Sequence, residues 1–296
     1  MKILVMPNNS ADLTNFKDAD GFIIGAEGLS WLVPLEVSIS KLEDIVSRIK
    51  QLGKQIFISL NKLMYNHDIP LLKEYLLVIE NIGVDGIIYD DLAVLNLVTS
   101  LSLKTPLVWF GIHSFTNYYS SNYWYKKGVK YGLLSTEVTL NQILEIKKQT
   151  NMSLVMYGYG YLPMFVSSRA LLTSYCEYIG KYKEDKVYHM YEKNRNESYP
   201  TYEDDNGTVI LSSHIINVID EMPVLNDSID YLVLSSLNIP DSDFNKVFQY
   251  YIKALSCIND KKELNEISEM VTETSPAKTD KGFLYKETIY RVKSND

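Results

Sequence analysis

Residues 86–91 read Gly-Ile-Ile-Tyr-Asp-Asp, a short apolar run that ends in two carboxylates. A continuous apolar run of this length, without the alternation of a half-exposed strand, is typical of a parallel strand buried on both faces. The same form, an apolar run followed by a polar residue or glycine, recurs at Ile3–Met6, Phe22–Ile24, Ile56–Leu60, Leu107–Phe110, Tyr131–Leu134, Leu154–Met156 and Tyr231–Leu234. The chain therefore contains eight candidate strands of one parallel sheet.

Stretches with helical periodicity separate these strands. After the second strand, Ser40 precedes apolar residues at helical spacing and Gly53 ends the pattern, as expected of an N-cap and a C-terminal glycine. Comparable patterns cover Pro70–Ile82, Leu92–Leu101, Tyr118–Lys127 and Leu140–Lys148. This alternation predicts an α/β fold, a TIM-like (β/α)₈ barrel, with an open doubly wound sheet as the alternative. No G-x-G-x-x-G sequence follows the first strand, which disfavours the open sheet.

The regular spacing changes between the seventh and eighth strands, where Gly158–Asp230 replaces a short connection. Within it, Met164–Tyr178 has a helical pattern, and Tyr188–Ser213 alternates as a hairpin that turns at residues 204–207. We therefore expect an α+β insertion between strands 7 and 8 that covers the C-terminal mouth of the barrel.

A last helix, Asp243–Ile258, precedes a polar stretch at residues 259–277 that predicts a linker. The tail Lys278–Lys293 carries five Lys or Arg residues against two acids and has aromatic residues among them. The predicted division is a barrel at residues 1–157 and 229–258, an insertion at 158–228, and a linker with a basic tail at 259–296.

Composition limits the class of protein. With 46% hydrophobic and 22% charged residues in 296, the chain is predicted to be globular rather than disordered or fibrous. A net charge of −8 argues against a globally basic nucleic-acid clamp, although a local basic patch remains compatible with it. Two cysteines suit a reducing compartment, and no apolar run is long enough to span a bilayer. We therefore expect a cytoplasmic protein that does not bind membranes.

The ends of the strands supply the candidate catalytic residues. In a parallel barrel the loops after the strands converge on one mouth, where catalytic groups are found. The catalytic candidates there are Asp90, Asp91, His113, Glu137 and Tyr157, and the candidates for substrate binding are Glu27, Asn61 and Tyr159. The alternative for each is a loop residue that caps the next helix, above all Asp91, which directly precedes Leu92.

Arginine is scarce, and three of its four copies lie late in the chain. Arg169, Arg195 and Arg291 could bind phosphate or carboxylate. Glu192 is also a candidate for substrate binding, although an ion pair of Arg195 with Glu192 is the alternative. The tail adds Lys281, Phe283 and Tyr285 as candidates for a basic, aromatic rim. No metal-ligand spacing and no nucleophile motif of a standard hydrolase is present, so no metal site is predicted.

Several stretches together resemble the collagenase-like peptidase family (peptidase family U32). The resemblance is carried by Tyr157-Gly158-Tyr159, Ser167-Ser168-Arg169, Glu192 with Arg195 and Tyr199-Pro200, Glu203-Asp204, Gly207-Thr208, Gly83–Val94, Glu137–Leu140 and Gly282-Phe283. The stretches extend over nearly the whole chain, and those in the insertion are the most specific.

The resemblance implies a TIM-like barrel and either peptide hydrolysis or a hydroxylation reaction. This short form most resembles the branch linked to hydroxylation of the wobble uridine of tRNA, which implies tRNA and a paralogous subunit of the same family as partners. The chain would then be an enzyme, an essential subunit, a non-catalytic barrel that presents substrate, or a true peptidase. Members with an iron–sulfur cluster carry four cysteines around the insertion. Pro163 and Ala170 occupy two of these positions here, so no such cluster is expected. The identity of any other cofactor is not predicted.

Overall fold

The computed structural model describes residues 1–184, 186–194, 196–259 and 263–286. Its strands, in chain order, are β1 (Lys2–Met6), β2 (Gly21–Ala26), β3 (Glu36–Val37), β4 (Gln55–Leu60), β5 (Gly86–Tyr89), β6 (Leu107–Phe110), β7 (Tyr131–Leu133), β8 (Ser153–Ser167), β9 (Tyr188–Glu192), β10 (Glu197–Asp204), β11 (Gly207–Asn217), β12 (Tyr231–Ser235) and β13 (Thr279–Asp280). The parallel strands β1, β2, β4, β5, β6, β7, β8 and β12 form a barrel that closes where β12 pairs with both β1 and β8. The predicted TIM-like barrel is confirmed.

Helices follow the barrel strands as the periodicity predicts. They are α1 (Ile39–Gln51), α2 (Ile69–Ile82), α3 (Leu92–Ser100), α4 (Tyr118–Lys126), α5 (Leu140–Gln149), α6 (Leu171–Tyr178), α7 (Met222–Leu225), α8 (Asp241–Asn259) and α9 (Asn265–Thr274). The N-cap of α1 is Ser38, so the prediction of Ser40 as the cap is wrong, whereas Gly53 does follow the helix with a φ of 71°. No helix among the described residues has the length and apolarity needed to cross a bilayer.

Aromatic side chains fill the amino-terminal half of the barrel. Phe57, Tyr131 and Tyr231 meet edge to face, with ring centroids 5.8 to 6.0 Å apart. Gly86 makes room for them, because a Cβ at this position would lie 2.8 Å from the Phe57 ring. In barrels of this kind the catalytic groups are found at the opposite end, where the carboxyl ends of the strands meet.

The insertion continues the barrel sheet. β8 leaves the barrel and pairs antiparallel with β11, which pairs with β10, which pairs with β9. The helical prediction for Met164–Tyr178 is therefore wrong for its first part, since residues up to Ser167 belong to β8 and α6 begins only at Leu171. The predicted hairpin is a three-stranded meander, and its turn at 205–206 lies within the predicted 204–207.

The segment after α8 is more ordered than predicted. Residues 259–277 were expected to form a linker, but α9 occupies Asn265–Thr274 and buries Ile267 and Val271. Two apolar residues four positions apart suffice for one buried helical stripe against α8, although the surrounding sequence is polar. Beyond α9, β13 pairs with Ile215 and Ile216 of β11, so the described part of the tail folds back against the insertion.

Candidate functional site

A pocket of about 290 Å³ opens between the barrel mouth and the insertion. The barrel contributes His113 and Glu137 from the loops after β6 and β7. Phe283 and Lys286 of the tail line the same pocket. The insertion adds Leu162, Pro163, Met164, Glu197, Tyr199, Ser212, Ser213 and His214. A pocket of this size, built from apolar walls with a few converging polar groups, suits a small molecule or one nucleobase.

A network of polar side chains forms the insertion wall of this pocket. Oε2 of Glu197 accepts hydrogen bonds from the hydroxyls of Tyr199 at 2.6 Å and Ser213 at 2.9 Å. The Ser213 hydroxyl also lies 3.0 Å from Nδ1 of His214. Because a hydroxyl has a single proton, Ser213 donates to Glu197 when Nδ1 of His214 carries the proton. That tautomer leaves Nε2 of His214 as a proton acceptor.

Asp90 and His113 bring a titratable pair to the mouth. Loss of solvation raises the pKa of the Asp90 carboxyl to about 6; the nearby His113 opposes this rise and Asp91 adds to it. Asp90 as a whole is an exposed residue, and His113 and Asp91 are the charged neighbours of its carboxyl. A carboxyl that exchanges its proton near neutral pH is suited to general acid–base chemistry.

A second carboxyl, Glu36 on β3, was missed by the sequence analysis. The Ser30 hydroxyl lies 2.9 Å from Oε1 of Glu36 and 3.0 Å from the carbonyl oxygen of Ala26. The Ser30 hydroxyl has one proton to share between the Glu36 carboxylate and this carbonyl, so the ionised carboxylate receives only part of the hydrogen bond. Burial accordingly raises the pKa of Glu36 to about 7, against the lowering effect of hydrogen bonds from Ser30 and the Gly28 amide. Nearby Asp204 and Glu27 add to the rise.

The turn between β10 and β11 reaches across the mouth to this carboxyl. Nδ2 of Asn206 donates to the carbonyl oxygen of Ser30 at 3.3 Å. Burial raises the pKa of Tyr202 on β10, and Asp204, Glu36 and Tyr157 contribute to the same shift, so the ring lies among these groups. The insertion thus contacts the mouth on the side of β2, while the pocket opens on the side of β6 and β7.

Comparison with known proteins identifies the family of this barrel. Residues 15–293 match the model of Peptidase family U32. The chain belongs to this family. It is 28% identical to the tRNA hydroxylation protein P2 of Bacillus subtilis (strain 168), over 98% of this chain and 99% of that protein. This confirms the resemblance seen in the sequence.

Two further relatives extend the comparison. An uncharacterized protease of Methanocaldococcus jannaschii is 29% identical over 146 residues, which cover 45% of this chain and 34% of that protein. The solved structure of the U32 peptidase Mk0906 is 13% identical, with a TM-score of 0.52, and the match covers 79% of this chain and 92% of that structure. At this level of identity the likeness shows a shared fold.

The U32 barrel brings some of the predicted residues together. His113, Glu137 and Phe283 line the pocket, and Asp90 lies at the mouth near His113. Tyr157 is buried beside a smaller cavity that Phe283 also lines. Glu192 is near the pocket through Tyr199, whose hydroxyl oxygen lies 3.2 Å from its Oε2. Arg195 and Arg291 lie outside the described residues.

Three other predicted residues have structural roles. Asp91 caps α3, since Oδ1 accepts from the Ala93 amide at 2.8 Å and Oδ2 from the Met64 amide at 3.0 Å. Asn61 is buried and binds both backbone groups of Trp31. Tyr159 packs under α8, away from the mouth. Its hydroxyl forms a hydrogen bond of 2.9 Å with the hydroxyl of Ser275.

The remaining candidates lie outside the pocket lining. Glu27 is exposed at the mouth near Glu36, and Arg169 is exposed before α6. Nζ of Lys281 lies 2.5 Å from Asp220 and 3.0 Å from Glu221, so its charge is neutralised by acids. The hydroxyl of Tyr285 also donates to Glu221, at 3.3 Å. Within the described tail, Lys286 lies beside the pocket, and its Nζ is 3.2 Å from the carboxylate of Asp280, which also lines the pocket.

The thiols of this chain do not fit an iron–sulfur cluster held by four cysteines. Cys176 is buried on α6 of the insertion, Cys257 lies on α8 of the barrel, and Pro163 and Ala170 cannot supply the missing ligands. Among the residues that the structure describes, no three His, Cys, Asp or Glu side chains are grouped to hold a metal ion. The pocket instead offers groups for hydrogen bonding and proton transfer.

Proposed function

We propose that this protein acts in hydroxylation of the wobble uridine of tRNA, as the enzyme or as an essential subunit. The observation that carries the proposal is the 28% identity to the B. subtilis tRNA hydroxylation protein P2 over 98% of this chain. That similarity spans the barrel, the insertion and the tail, which are the three parts that build the pocket.

The pocket supports this proposal through its size and its polar groups. A base must leave its stack before an enzyme can reach its ring atoms, and a pocket of about 290 Å³ accommodates one such base. His113 and Phe283 offer ring faces for stacking. Glu137 and Glu197 can accept the N–H of a uracil, which is the donor on its pairing edge.

Proton transfer is the chemistry that the side chains can supply. Converting a ring C–H to C–OH adds one oxygen atom and removes two electrons, so an oxygen-donating co-substrate is required in addition to the protein. We propose that Asp90, whose pKa is raised to about 6, and His113 take the proton that leaves the ring carbon.

Deletion of the gene tests the proposal. Nucleosides from total tRNA are quantified by mass spectrometry in the parent strain, the deletion strain, and the deletion strain carrying a plasmid copy. Loss of hydroxylated wobble uridine on deletion and its return with the plasmid copy is the expected result. Unchanged hydroxylation in the deletion strain would refute the proposal.

A substrate-presenting subunit is the second candidate, favoured by the lack of a four-cysteine ligand set. In that case the purified chain would bind tRNA but leave it unmodified, and hydroxylation in vitro would require a paralogous subunit. Turnover by the purified chain with tRNA and an oxygen donor, and with no second protein, would exclude this form of the proposal.

Peptide hydrolysis is less well supported by the pocket. In a serine hydrolase, the histidine lies between the serine and the carboxylate and passes the proton. Here Ser213 itself lies between Glu197 and His214, since it contacts both. This order gives the serine no histidine that is oriented by a carboxylate.

A further inference from the structure

One long stretch of this acidic chain carries no acid. Acids make up 37 of its 296 residues and the net charge is −8, yet residues 92–136 contain no Asp or Glu. The same stretch contains Lys104, Lys126, Lys127 and Lys130. Positive charge is therefore concentrated in one part of an otherwise negative molecule, which is what binding to a polyanion requires.

The fold places these lysines at one end of a helix that starts at the C-terminal mouth of the barrel. α4 begins after the loop that contains His113, and it ends at Lys126 next to the loop that leads into β7. Lys104 lies on the neighbouring loop before β6. Since α4 has nine residues, it extends about 13 Å from the mouth toward the amino-terminal end of the barrel.

Exposed tyrosines lie between the pocket and the lysines. Tyr119, Tyr123 and Tyr125 on α4 are 74%, 57% and 42% exposed. Tyr119 and Tyr123 are four residues apart and so share one face of the helix. Nζ of Lys127 lies 5.9 Å from the centre of the Tyr123 ring. Aromatic faces beside cations are the usual means of holding unpaired bases and their phosphates.

The lysines also border a recess that can take a phosphate group. This recess, about 380 Å³ in volume, is lined by Lys104, Lys127 and Lys130, with hydroxyls of Thr99, Ser102 and Thr105 among its other lining groups. None of the four lysines forms an ion pair with another described residue.

Among the described residues, Glu80 and Glu145 are acids that lie beside this surface. The Glu80 carboxylate accepts hydrogen bonds from the backbone amides of Lys104 and Thr105 and from the Thr105 hydroxyl, so backbone and hydroxyl groups occupy it. Glu145 of α5 lies near Tyr118, at the other end of α4 from the lysines.

We propose that the α4 surface, formed by Tyr119, Tyr123, Tyr125, Lys104, Lys126, Lys127 and Lys130, binds the RNA strand that flanks the nucleotide held in the pocket. The lysines contact phosphates, and the tyrosine rings stack on unpaired bases. The surface begins beside His113, so one strand can occupy both places. The choice of RNA as the occupant rests on the proposed function and on the charge of the surface.

Binding of fluorescently labelled total tRNA from the deletion strain tests this inference. One variant replaces Lys104, Lys126, Lys127 and Lys130 with Gln. A matched control replaces the exposed lysines Lys17, Lys41, Lys246 and Lys253 with Gln, which changes the net charge equally on other sides of the barrel. The α4 variant should bind tRNA at least about ten-fold more weakly near 0.1 M salt, and its salt dependence should be shallower by roughly one unit for each lost phosphate contact. The control should bind like wild type.

The tyrosines provide an independent readout. Tyr119→Ala and Tyr123→Ala should each weaken tRNA binding by about five-fold or more, whereas Tyr→Phe at the same positions should retain it, because the ring and not the hydroxyl stacks on a base. Equal effects of the α4 variant and the charge-matched control, or wild-type binding by both Ala variants, would overturn the inference. Circular dichroism of each variant confirms that it is folded.

Two further measurements are needed. One distinguishes RNA from lipid as the ligand of this surface, and the other tests the inference separately from the proposed function. If the α4 variant loses binding to vesicles of phosphatidylglycerol and phosphatidylcholine but keeps tRNA binding, the surface binds lipid and the inference is wrong. Normal tRNA hydroxylation in cells that carry the α4 variant, together with unchanged tRNA binding, would refute the inference while the proposed function stands. Unchanged hydroxylation in the deletion strain refutes the proposed function, whereas the binding measurements still decide whether the surface holds RNA.

Discussion

Replacing Glu36 with Gln should stabilise the protein above neutral pH. Burial raises the pKa of this carboxyl from its ordinary value of 4.5 to about 7, so the folded state holds a proton that the unfolded state has already released. Stability from this group is complete below about pH 4.5 and is lost as the pH rises through about 7. Gln is uncharged at every pH, and its amide oxygen can accept the hydrogen bond that the Ser30 hydroxyl donates to Glu36.

The size of the effect follows from the shift in pKa. A rise of about 2.5 units corresponds to about 3 kcal/mol, since one unit is worth about 1.4 kcal/mol. Glu36 is partly exposed, and solvent screening reduces that value, so we expect a gain of about 1 to 3 kcal/mol at pH 8. The gain should shrink between pH 7 and pH 5 and approach zero near pH 4.5.

Urea unfolding of wild type and Glu36→Gln at pH 5, 6, 7 and 8 measures this difference. The raised pKa of Asp90 gives both proteins a pH dependence in the same range, and it cancels in the comparison. Glu43→Gln, an exposed position on α1, serves as the control and should show no such trend. A difference that stays constant from pH 5 to pH 8, or a Gln variant less stable than wild type at pH 8, would contradict a raised pKa of Glu36 in the folded protein.

Three further outcomes are expected. Asp91→Ala should lower the free energy of unfolding by about 1 kcal/mol, because α3 loses its cap; unchanged stability in urea would show that the two amides find other partners. Gly25→Ala should cost about 1 to 3 kcal/mol in the same assay, since the new Cβ would lie 2.4 Å from the Ser30 hydroxyl, and a neutral effect would mean that Ser30 moves freely. Purified protein should show negligible cleavage of gelatin or casein; cleavage that co-purifies with the protein and disappears in His113→Ala or Glu137→Gln would contradict this.

The barrel could be predicted because its signal is local. Each buried strand is a short apolar run, and each helix has an apolar stripe, so the order of elements follows from neighbouring residues. The prediction failed where contacts between residues that are distant in sequence decide the local structure. Met164–Ser167 could be helical by its own pattern, but antiparallel pairing with β11 makes it a strand. The apolar stripe of α9 consists of few residues within a polar stretch and is stabilised by packing on α8.

The site was partly predictable for the same reason. The rule that strand ends meet at one mouth correctly brought Asp90 near His113 and placed Glu137 in the pocket lining. It could not distinguish a cap such as Asp91 from a free carboxylate, because that depends on which backbone amides lie within reach. Glu36 was missed because it lies on a two-residue strand between loops, and only the fold shows that Ser30 and the turn at Asn206 enclose it.

The most direct test of the central claim is the amount of hydroxylated wobble uridine in tRNA from deletion strains that express wild type, His113→Ala, Glu137→Gln or the control Glu43→Gln at equal levels. We expect full hydroxylation with wild type and the control, and a loss of at least about ten-fold with each of the two pocket variants. Full hydroxylation with both pocket variants would contradict the claim that the pocket between the barrel mouth and the insertion is the place of the reaction.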